Sequence, residues 1–229
     1  MSTALVLLAA GSGTRVGADV NKVLLPLGDT TVLGHSVATA LAVSDVHRIV
    51  LVVRAGEEQA VAESVVPLLG RGEAIVVTGG ASRHASEQAA LAVLRADIEA
   101  GEVDVVAIHD TARPLATPQL FTAVIETART QGGAVPAAPL THLLTRRLQP
   151  VAADAALVGV QTPQAFRAGE LLAAYDRAAG DGFEGTDTAA CLERYRPGLR
   201  IVAVPSSSLN LKVTFAEDLP TVETLLADG

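Results

Sequence analysis

The chain has 229 residues, of which 49% are apolar and only 3% aromatic, and its formal net charge is −8. This length fits one large domain whose core is built mainly from Ala, Val and Leu. The negative charge argues against non-specific binding to nucleic acid or to an anionic membrane, and no apolar run approaches the ~20 residues needed to span a bilayer.

Apolar runs of strand length alternate with amphipathic segments along most of the chain. In chain order, the pattern predicts strands at 5–8, 48–53, 73–78, 103–108 and 133–138, separated by helices at 31–41, 57–69, 86–98 and 118–130. Helices at 167–179 and 186–195, a strand at 199–204 and a helix at 216–226 follow. The alternation indicates an α/β fold with a mostly parallel, Rossmann-like sheet covered by helices on both faces.

The alternation is interrupted between residues 139 and 160. This segment has no long helical face and reads as two extended pieces around Pro150, which predicts a β-arm or hairpin. Its apolar side chains would form an exposed patch that a monomer rarely tolerates; they are Leu140, Leu143, Leu144 and Leu148. We therefore expect a single domain, 1–229, that forms a homodimer through an arm at about 139–160.

The N-terminus and the cysteine content indicate the compartment. Met1-Ser2-Thr3 leads directly into an apolar run, without the basic region or the cleavage site of a signal peptide. Cys191 is the only cysteine and cannot form an internal disulfide, which fits a reducing environment. We expect a cytoplasmic protein in which Cys191 is a small buried residue on a helix.

A glycine-containing turn follows the first predicted strand. Gly11 and Gly13 allow a ligand to approach the backbone closely, because they have no Cβ. Successive N–H groups in such a turn bind anions, and Arg15 and Lys22 add two positive charges. The spacing matches neither a P-loop nor a complete dinucleotide fingerprint. On spacing alone, a triphosphate-binding loop and a plain strand-to-helix turn with two solvated cations fit equally well.

Polar residues also follow the other predicted strands. Any one of them could make a turn or cap a helix, as Thr186 could with Asp187 in the first turn. Because the carboxyl ends of parallel strands meet at one edge of a sheet, we expect them to form one site. They are Gly79, Gly80, Arg83 and Ser86, then His109 to Pro114, Thr162 to Gln164, and Lys212 to Thr214.

Together these motifs resemble those of the 2-C-methyl-D-erythritol 4-phosphate cytidylyltransferase family. The resemblance is collinear over nearly the whole chain. It comprises Ala9-Ala10-Gly11-x-Gly13-x-Arg15 with Lys22, Gly79-Gly80-x-x-Arg83-x-x-Ser86, His109-Asp110-x-Ala112-Arg113-Pro114, Thr162-Pro163-Gln164, Thr186-Asp187 and Lys212-Val213-Thr214. Related cytidylyltransferases, including those that act on ribitol 5-phosphate, share this outline.

The resemblance implies a nucleotidyl transfer in which a phosphate oxygen of a polyol phosphate attacks the α-phosphorus of CTP, with Mg²⁺ present, and pyrophosphate leaves. The protein must align the two phosphates and offset the developing charge. The resemblance implies catalytic roles for Arg15, Lys22 and Lys212. By the same resemblance, the nucleotide is bound by Ala9, Ala10, Gly11, Gly13, Gly80, Ser86, Asp110 and Thr111, with Asp110 also beside the metal. The resemblance also implies that the acceptor is bound by Arg113, Thr162, Thr186 and the residue at the position of Asp154.

The chain departs from the family pattern at several positions. Asn21 precedes Lys22 where the family usually has proline, and Ala81 follows the paired glycines where the family usually has an acidic residue. In the arm, His142-Leu143 replaces an Asp-Thr pair, and Asp154 replaces an arginine that serves the acceptor phosphate from the neighbouring subunit. A carboxylate repels a phosphate, and compensation by Arg113, Arg146 or Arg147 is one way to retain the acceptor.

Three hypotheses follow. The first is an active cytidylyltransferase for the erythritol phosphate, and the second is a paralogue that uses CTP on another acceptor. The third is a nucleotide-binding protein with little catalysis, whose arm serves assembly or regulation. Asp154 and Leu143 argue against the first, while the retained Lys22, Asp110 and Lys212 argue against the third. We expect a CTP-dependent transferase, with the erythritol phosphate as the leading acceptor and with no nucleic-acid or membrane partner.

Overall fold

The first apolar run forms the central strand of a sheet in the computed structural model, which describes residues 2–11, 21–140 and 157–227. The strands are β1 Thr3–Leu8, β2 Pro26–Leu27, β3 Thr30–Thr31, β4 Val46–Val53, β5 Ile75–Thr78, β6 Val105–Asp110, β7 Gly132–Pro139, β8 Val158–Val160, β9 Gln164–Arg167 and β10 Arg200–Pro205. The helices are α1 Val32–Leu41, α2 Glu58–Leu69, α3 Arg83–Glu99, α4 Pro118–Gln131, α5 Ala168–Asp181, α6 Thr188–Tyr195 and α7 Asp218–Ala227.

Within the described residues the main sheet has eight strands. Seven of them lie in the order β10-β7-β9-β6-β1-β4-β5, and β8 pairs with β7. The pairs β1–β4, β1–β6, β4–β5 and β7–β10 are parallel, whereas β9 runs antiparallel to both β6 and β7. The predicted α/β fold with a mostly parallel sheet is therefore confirmed.

The central strand is buried on both faces because helices cover both. Leu5 and Leu7 pack in one core layer together with residues of α1, α2 and α4. Ala4 and Val6, which point to the opposite face, pack with residues of α3, α5 and α6. This double burial explains why β1 reads as a continuous apolar run rather than an alternating pattern.

Several short elements were missing from the prediction. The β2–β3 hairpin has only two residues in each strand, and β8 and β9 are too short to give a clear periodic pattern. In the predicted arm, β8 pairs antiparallel with β7, while residues 141–156 lie outside the described ranges. None of the helices in the described part of the chain combines the length and the apolar character needed to cross a membrane.

Two predicted helix starts were wrong. Helix α3 begins at Arg83 rather than at residue 86, because the Ser82 side chain accepts a hydrogen bond from the N–H of Ala85 and caps the helix there. Helix α6 begins at Thr188, and its cap is Asp187, whose carboxylate accepts a hydrogen bond from the N–H of Ala190. Thr186 therefore lies outside the helix, and its side chain is exposed.

Candidate functional site

A cavity of about 640 Å³ opens where the parallel strands end. It lies at the carboxyl edge of the sheet. The strand that follows β1 in the main sheet, β4, lies on one side of β1, and β6 lies on the other side. Ligands usually bind at such a point in open α/β sheets. Of the residues predicted for the site, the cavity is lined by Ala10, Gly11, Lys22, Gly80, Ser86, Asp110 and Lys212.

Asp110, the last residue of β6, lies between two cations. Its Oδ2 is 2.5 Å from Nζ of Lys212, and its Oδ1 accepts hydrogen bonds at 3.3 Å from Nε and Nη2 of Arg83. Burial by itself raises the pKa of Asp110, but the charges of Arg83 and Lys212 outweigh burial and hold that pKa well below its usual range. Asp110 is therefore ionised at neutral pH and available to a cation.

Arg83 is held from behind by a second carboxylate, that of Glu87. Glu87 is almost completely buried on α3, and it accepts hydrogen bonds from Arg83, from the hydroxyl of Thr188 and from the hydroxyl of Tyr175. Burial raises the pKa of Glu87, although the charge of Arg83 opposes that shift. Glu87 was not among the residues predicted for the site. The available signal was its position four residues before Leu91 on the buried face of α3.

The paired glycines after β5 are needed for close packing. A Cβ on Gly79 would lie 2.6 Å from Cβ of Ala10, and a Cβ on Gly80 would lie 2.5 Å from Cβ of Ala85. The N–H of Gly80 donates to Oγ of Ser86 at 3.2 Å, which fixes the loop against α3. The backbone of Gly80 is thus brought to the cavity wall by the packing of its neighbours.

The loop after β1 is described at both of its ends. Ala9 is buried, Gly11 has open space where a Cβ would lie, and Lys22 begins a short 3-10 turn, Lys22–Leu24, at the cavity. Residues 12–20 lie outside the described ranges, and with them the predicted Gly13 and Arg15. A further cation lines the cavity: Arg54, directly after β4. The sequence prediction omitted Arg54, although it follows a strand like the other site residues.

A buried polar layer lies behind Asp110. The N–H of Asp110 donates to Oγ1 of Thr162 at 3.0 Å, and Nδ1 of His109 lies 3.2 Å from the same oxygen. We assign the hydroxyl proton of Thr162 to Nδ1, so that the Nε2–H of His109 donates to the carbonyl of Arg113 at 3.3 Å. Burial lowers the pKa of His109 to about 4. His109 is therefore neutral at pH 7 and serves as a fixed support.

Other predicted residues lie around this layer rather than on the cavity wall. The hydroxyl of the buried Thr111 donates to the carbonyl of Leu8 at 2.8 Å and ties β6 to β1. Nη1 of Arg113 donates to the carbonyl of Asn210 at 2.6 Å, while its buried Nε has no hydrogen-bond partner among the described residues. The acceptor-binding roles of Arg113, Thr162 and Thr186 stay predictions, and Asp154 lies outside the described ranges.

A second cavity, of about 420 Å³, lies at the opposite end of β4 and contains none of the predicted site residues. Beside it, His47, Asp97 and Glu102 bring ligand atoms within 4.8 Å of one another. However, Oδ2 of Asp97 already accepts a hydrogen bond from Nε of Arg48 at 2.8 Å. The carboxyl edge of the sheet, with its cations and its buried support, is therefore the candidate active site.

Known proteins are similar to this chain over nearly its whole length. The model of the 2-C-methyl-D-erythritol 4-phosphate cytidylyltransferase family matches residues 3–228. The chain is 40% identical over 232 residues to the bifunctional enzyme IspD/IspF of Clavibacter michiganensis. That match covers 97% of this chain but 54% of the relative, so this chain spans about half the length of the bifunctional enzyme. It is 37% identical over 231 residues to a 2-C-methyl-D-erythritol 4-phosphate cytidylyltransferase of Cereibacter sphaeroides, covering 99% of this chain and 98% of the relative.

Solved structures agree with this assignment. A 2-C-methyl-D-erythritol 4-phosphate cytidylyltransferase from Thermus thermophilus is 28% identical and matches with a TM-score of 0.76 over 99% of this chain and 100% of that structure. Both the sequence matches and the structural match extend over essentially the whole chain. The chain therefore belongs to the 2-C-methyl-D-erythritol 4-phosphate cytidylyltransferase family.

Proposed function

We propose that the protein transfers CMP from CTP to 2-C-methyl-D-erythritol 4-phosphate, releases pyrophosphate and so serves isoprenoid precursor synthesis. As a member of this family it is a nucleotidyltransferase. The observation that carries the proposal is the cavity at the carboxyl edge, whose wall contains four cations and one carboxylate, that of Asp110. The cations are Lys22, Arg54, Arg83 and Lys212. Four cations and one anion on the same wall suit a polyanionic substrate, although the whole chain has a net charge of −8.

Lys22 and Lys212 offset the negative charge that develops on the transferring group, together with Arg15 by its match to the family motif. Charges that are already oriented in a cavity with little water stabilise a transition state without reorganising. Alignment of the acceptor oxygen with the α-phosphorus supplies the rest of the acceleration. No covalent intermediate with the protein is needed, since two substrates held in line can react directly.

The residues present fit a bound Mg²⁺. Asp110 is ionised, and it is the acidic residue among the described residues that line the cavity. Mg²⁺ commonly binds one or two protein carboxylates together with substrate phosphates and water. Asp110 would hold the metal, which, when bound, neutralises part of the triphosphate charge.

Recognition of the base falls to the loop after β5. The backbone of Gly80 lines the cavity beside Ser86, which keeps that backbone in position. Backbone N–H and carbonyl groups can pair with the edge of cytosine, and their positions do not depend on the side chain of Ala81. We therefore propose that CTP is preferred in spite of the missing acidic residue.

The proposed acceptor is anionic, and the positive charge of Arg113 close to Asp110 favours an anion at this end of the cavity. Nε of Arg113 is buried behind the cavity wall, so the proposed effect on an acceptor phosphate is one of charge rather than of a hydrogen bond. Burial lowers the pKa of Arg113, with the nearby charge of Asp110 opposing that shift. The side chain remains a cation at neutral pH and is suited to a phosphate.

We also propose that the protein is a homodimer joined through the predicted arm. The residues on both sides of the segment 141–156 expose large apolar side chains: Leu140, Leu157, Val158 and Val160 are each more than 40% exposed. A contiguous apolar surface of this kind usually marks a protein contact. A second copy of the chain would cover it and bring the arm to the acceptor side of the partner's cavity.

A cytoplasmic location is consistent with the state of Cys191. It is buried on α6 as predicted, and burial raises the pKa of its thiol to about 11. It is therefore an inert core thiol, and we propose that the enzyme works in the reducing cytoplasm.

The experiment that tests the function is a pyrophosphate-release screen of CTP, ATP, GTP and UTP against a panel of sugar and polyol phosphates, with and without Mg²⁺. We expect turnover with CTP and 2-C-methyl-D-erythritol 4-phosphate, and its loss on chelation. Turnover with CTP and only a different acceptor would support the paralogue hypothesis. CTP binding without turnover on any acceptor would contradict a transferase.

A further inference from the structure

We propose that Asn21, supported by Glu57, is a positioning residue that holds Lys22 at the cavity wall, given the role proposed above for Lys22 in nucleotidyl transfer. Asn21 directly precedes Lys22 and is only 1% exposed. A carboxamide is seldom buried unless its polar atoms are satisfied. The partners of this side chain show what it connects.

The hydrogen-bond partners of Asn21 among the described residues belong to elements that build the cavity. Nδ2 donates to the carbonyl of Ala9 at 2.8 Å and to Oε2 of Glu57 at 2.7 Å. Oδ1 accepts a hydrogen bond from the N–H of Val23 at 3.3 Å. The orientation of the amide is determined, because the flipped form would set an oxygen against a carbonyl and a carboxylate.

These bonds fix the backbone on both sides of Lys22. The turn Lys22–Leu24 has only three residues, and a turn this short has little stability of its own. Asn21 supplies its cap through Oδ1 and its anchor through Nδ2, which reaches the end of β1 at Ala9. Asn21 therefore helps to set the position of the Lys22 backbone relative to the end of β1, together with Val23, which packs in the core.

Glu57 keeps the amide in place and links it to a further cation. While Oε2 of Glu57 accepts from Asn21, its Oε1 is 3.3 Å from Nη1 of Arg54, which lines the cavity. The charge of Arg54 balances that of Glu57, so the carboxylate can serve as an acceptor without leaving an unpaired charge. The same pair thus fixes Asn21 and keeps the end of β4 at the cavity.

The alternative is that Asn21 merely caps a turn. A cap contributes to stability but has no preference for the transition state over the bound substrate. A residue that positions Lys22 affects the step in which the charge of Lys22 matters most. Substitution of Asn21 should therefore lower kcat only if Asn21 positions Lys22, whereas it should lower stability in either case.

The test compares Asn21→Ala with Lys22→Ala and with Thr117→Ala, a control at a helix cap that does not line the cavity. Oγ1 of Thr117 caps α4 by accepting from the N–H of Leu120 at 3.2 Å. We expect Asn21→Ala to lower kcat about tenfold or more, with the Kd for CTP changed less than about twofold. Thr117→Ala should lower Tm by a similar amount and leave kcat unchanged.

Four further variants separate the hydrogen bonds that Asn21 donates from its role as a cap. Asn21→Ser keeps a good cap acceptor but loses both donations, so it should lower kcat as Asn21→Ala does, and it serves if Asn21→Ala does not fold. Glu57→Gln can still accept from Asn21 and should retain most of the activity. Asn21→Asp faces Glu57 with a like charge, and we expect the added Glu57→Gln substitution to restore part of its lost kcat.

The outcomes separate this inference from the proposed function. If Lys22→Ala is impaired while Asn21→Ala and Asn21→Ser keep the wild-type kcat, Asn21 does not position Lys22 and the inference is wrong. If Lys22→Ala itself has the wild-type kcat, the proposed role of Lys22 fails, and this inference fails with it. Equal loss of kcat in Thr117→Ala would reduce Asn21 to a stabilising cap.

Discussion

The buried histidine behind the active site predicts how stability depends on pH. His109 is 0% exposed, and burial lowers its pKa from 6.5 to about 4. Between these two values the unfolded chain carries a proton on this histidine and the folded chain does not. Protonation therefore favours the unfolded state, and the contribution of His109 to stability is present above pH 6.5 and is lost as the pH falls towards 4.

The size of the effect follows from the shift. One pKa unit corresponds to about 1.4 kcal/mol, so the whole shift is worth about 3 kcal/mol. Between about pH 7.5 and pH 5 the free energy of unfolding should fall by about 2 kcal/mol through this one group. This interval lies above the pKa of ordinary carboxyl groups, which titrate mainly below it.

Urea denaturation of wild type and of His109→Gln at the two pH values measures the effect. The glutamine does not titrate, so His109→Gln should lose about 2 kcal/mol less than the wild type between them, whatever its stability at neutral pH. Thr162→Val is the control: it removes the hydroxyl beside Nδ1 but leaves the imidazole buried, and it should keep the pH dependence. Equal losses in wild type and His109→Gln would refute the reasoning, because His109 would then not be held neutral by burial.

The other predictions concern the substrates and the assembly. Arg15→Ala and Lys212→Ala should each lower kcat by about 100-fold with a smaller effect on CTP affinity; a raised KM at wild-type kcat would show that the residue only binds substrate. In the presence of chelator, Asp110→Asn should bind CTP about tenfold more tightly than the wild type, because a repulsive charge is removed. With Mg²⁺ the variant should lose turnover. Calorimetry measures the affinity and the pyrophosphate assay the turnover, and tighter CTP binding by the wild type under chelation would contradict the prediction. Asp154→Arg should lower KM for 2-C-methyl-D-erythritol 4-phosphate several-fold, since removal of a repulsion of about 1 kcal/mol corresponds to that factor, while CTP binding stays unchanged. Light scattering at micromolar concentration should report about twice the chain mass of 23.4 kDa, and a fully active monomer would exclude the proposed dimer.

The central strands could be predicted largely because they are buried on both faces. Leu5 to Leu8 and Val50 to Val53 read as strands since every side chain in them must be apolar. The same reasoning fails for β9, residues Gln164–Arg167, where Gln164 is buried because its amide donates to Asp187 rather than because it is apolar. Its antiparallel pairing depends on β6 and β7, which are remote in sequence.

Part of the cavity wall was predictable because its residues follow strands, although Arg54, which also follows a strand, was missed. Lys22, Gly80, Asp110 and Lys212 all follow or end strands, and the rule that ligands bind at this edge finds them. Glu87 was not predicted because two of its three partners, Tyr175 and Thr188, are distant in sequence and only Arg83 is close to it. Residues that support others are recognised by their partners, and partners distant in sequence are visible only in the folded chain.

Three of the four cations that line the cavity share one arrangement, which helps an acidic protein to bind a triphosphate. Lys212 lies against Asp110, Arg83 against Asp110 and Glu87, and Arg54 against Glu57. Each acid fixes the position of a cation in the absence of substrate, which lessens the entropy that substrate binding must overcome. Asp110 differs from the other two acids because it lies on the cavity wall and would compete with phosphate oxygens for Lys212. Mg²⁺ bound at this carboxylate would remove that competition, because Lys212 would then be available to the substrate.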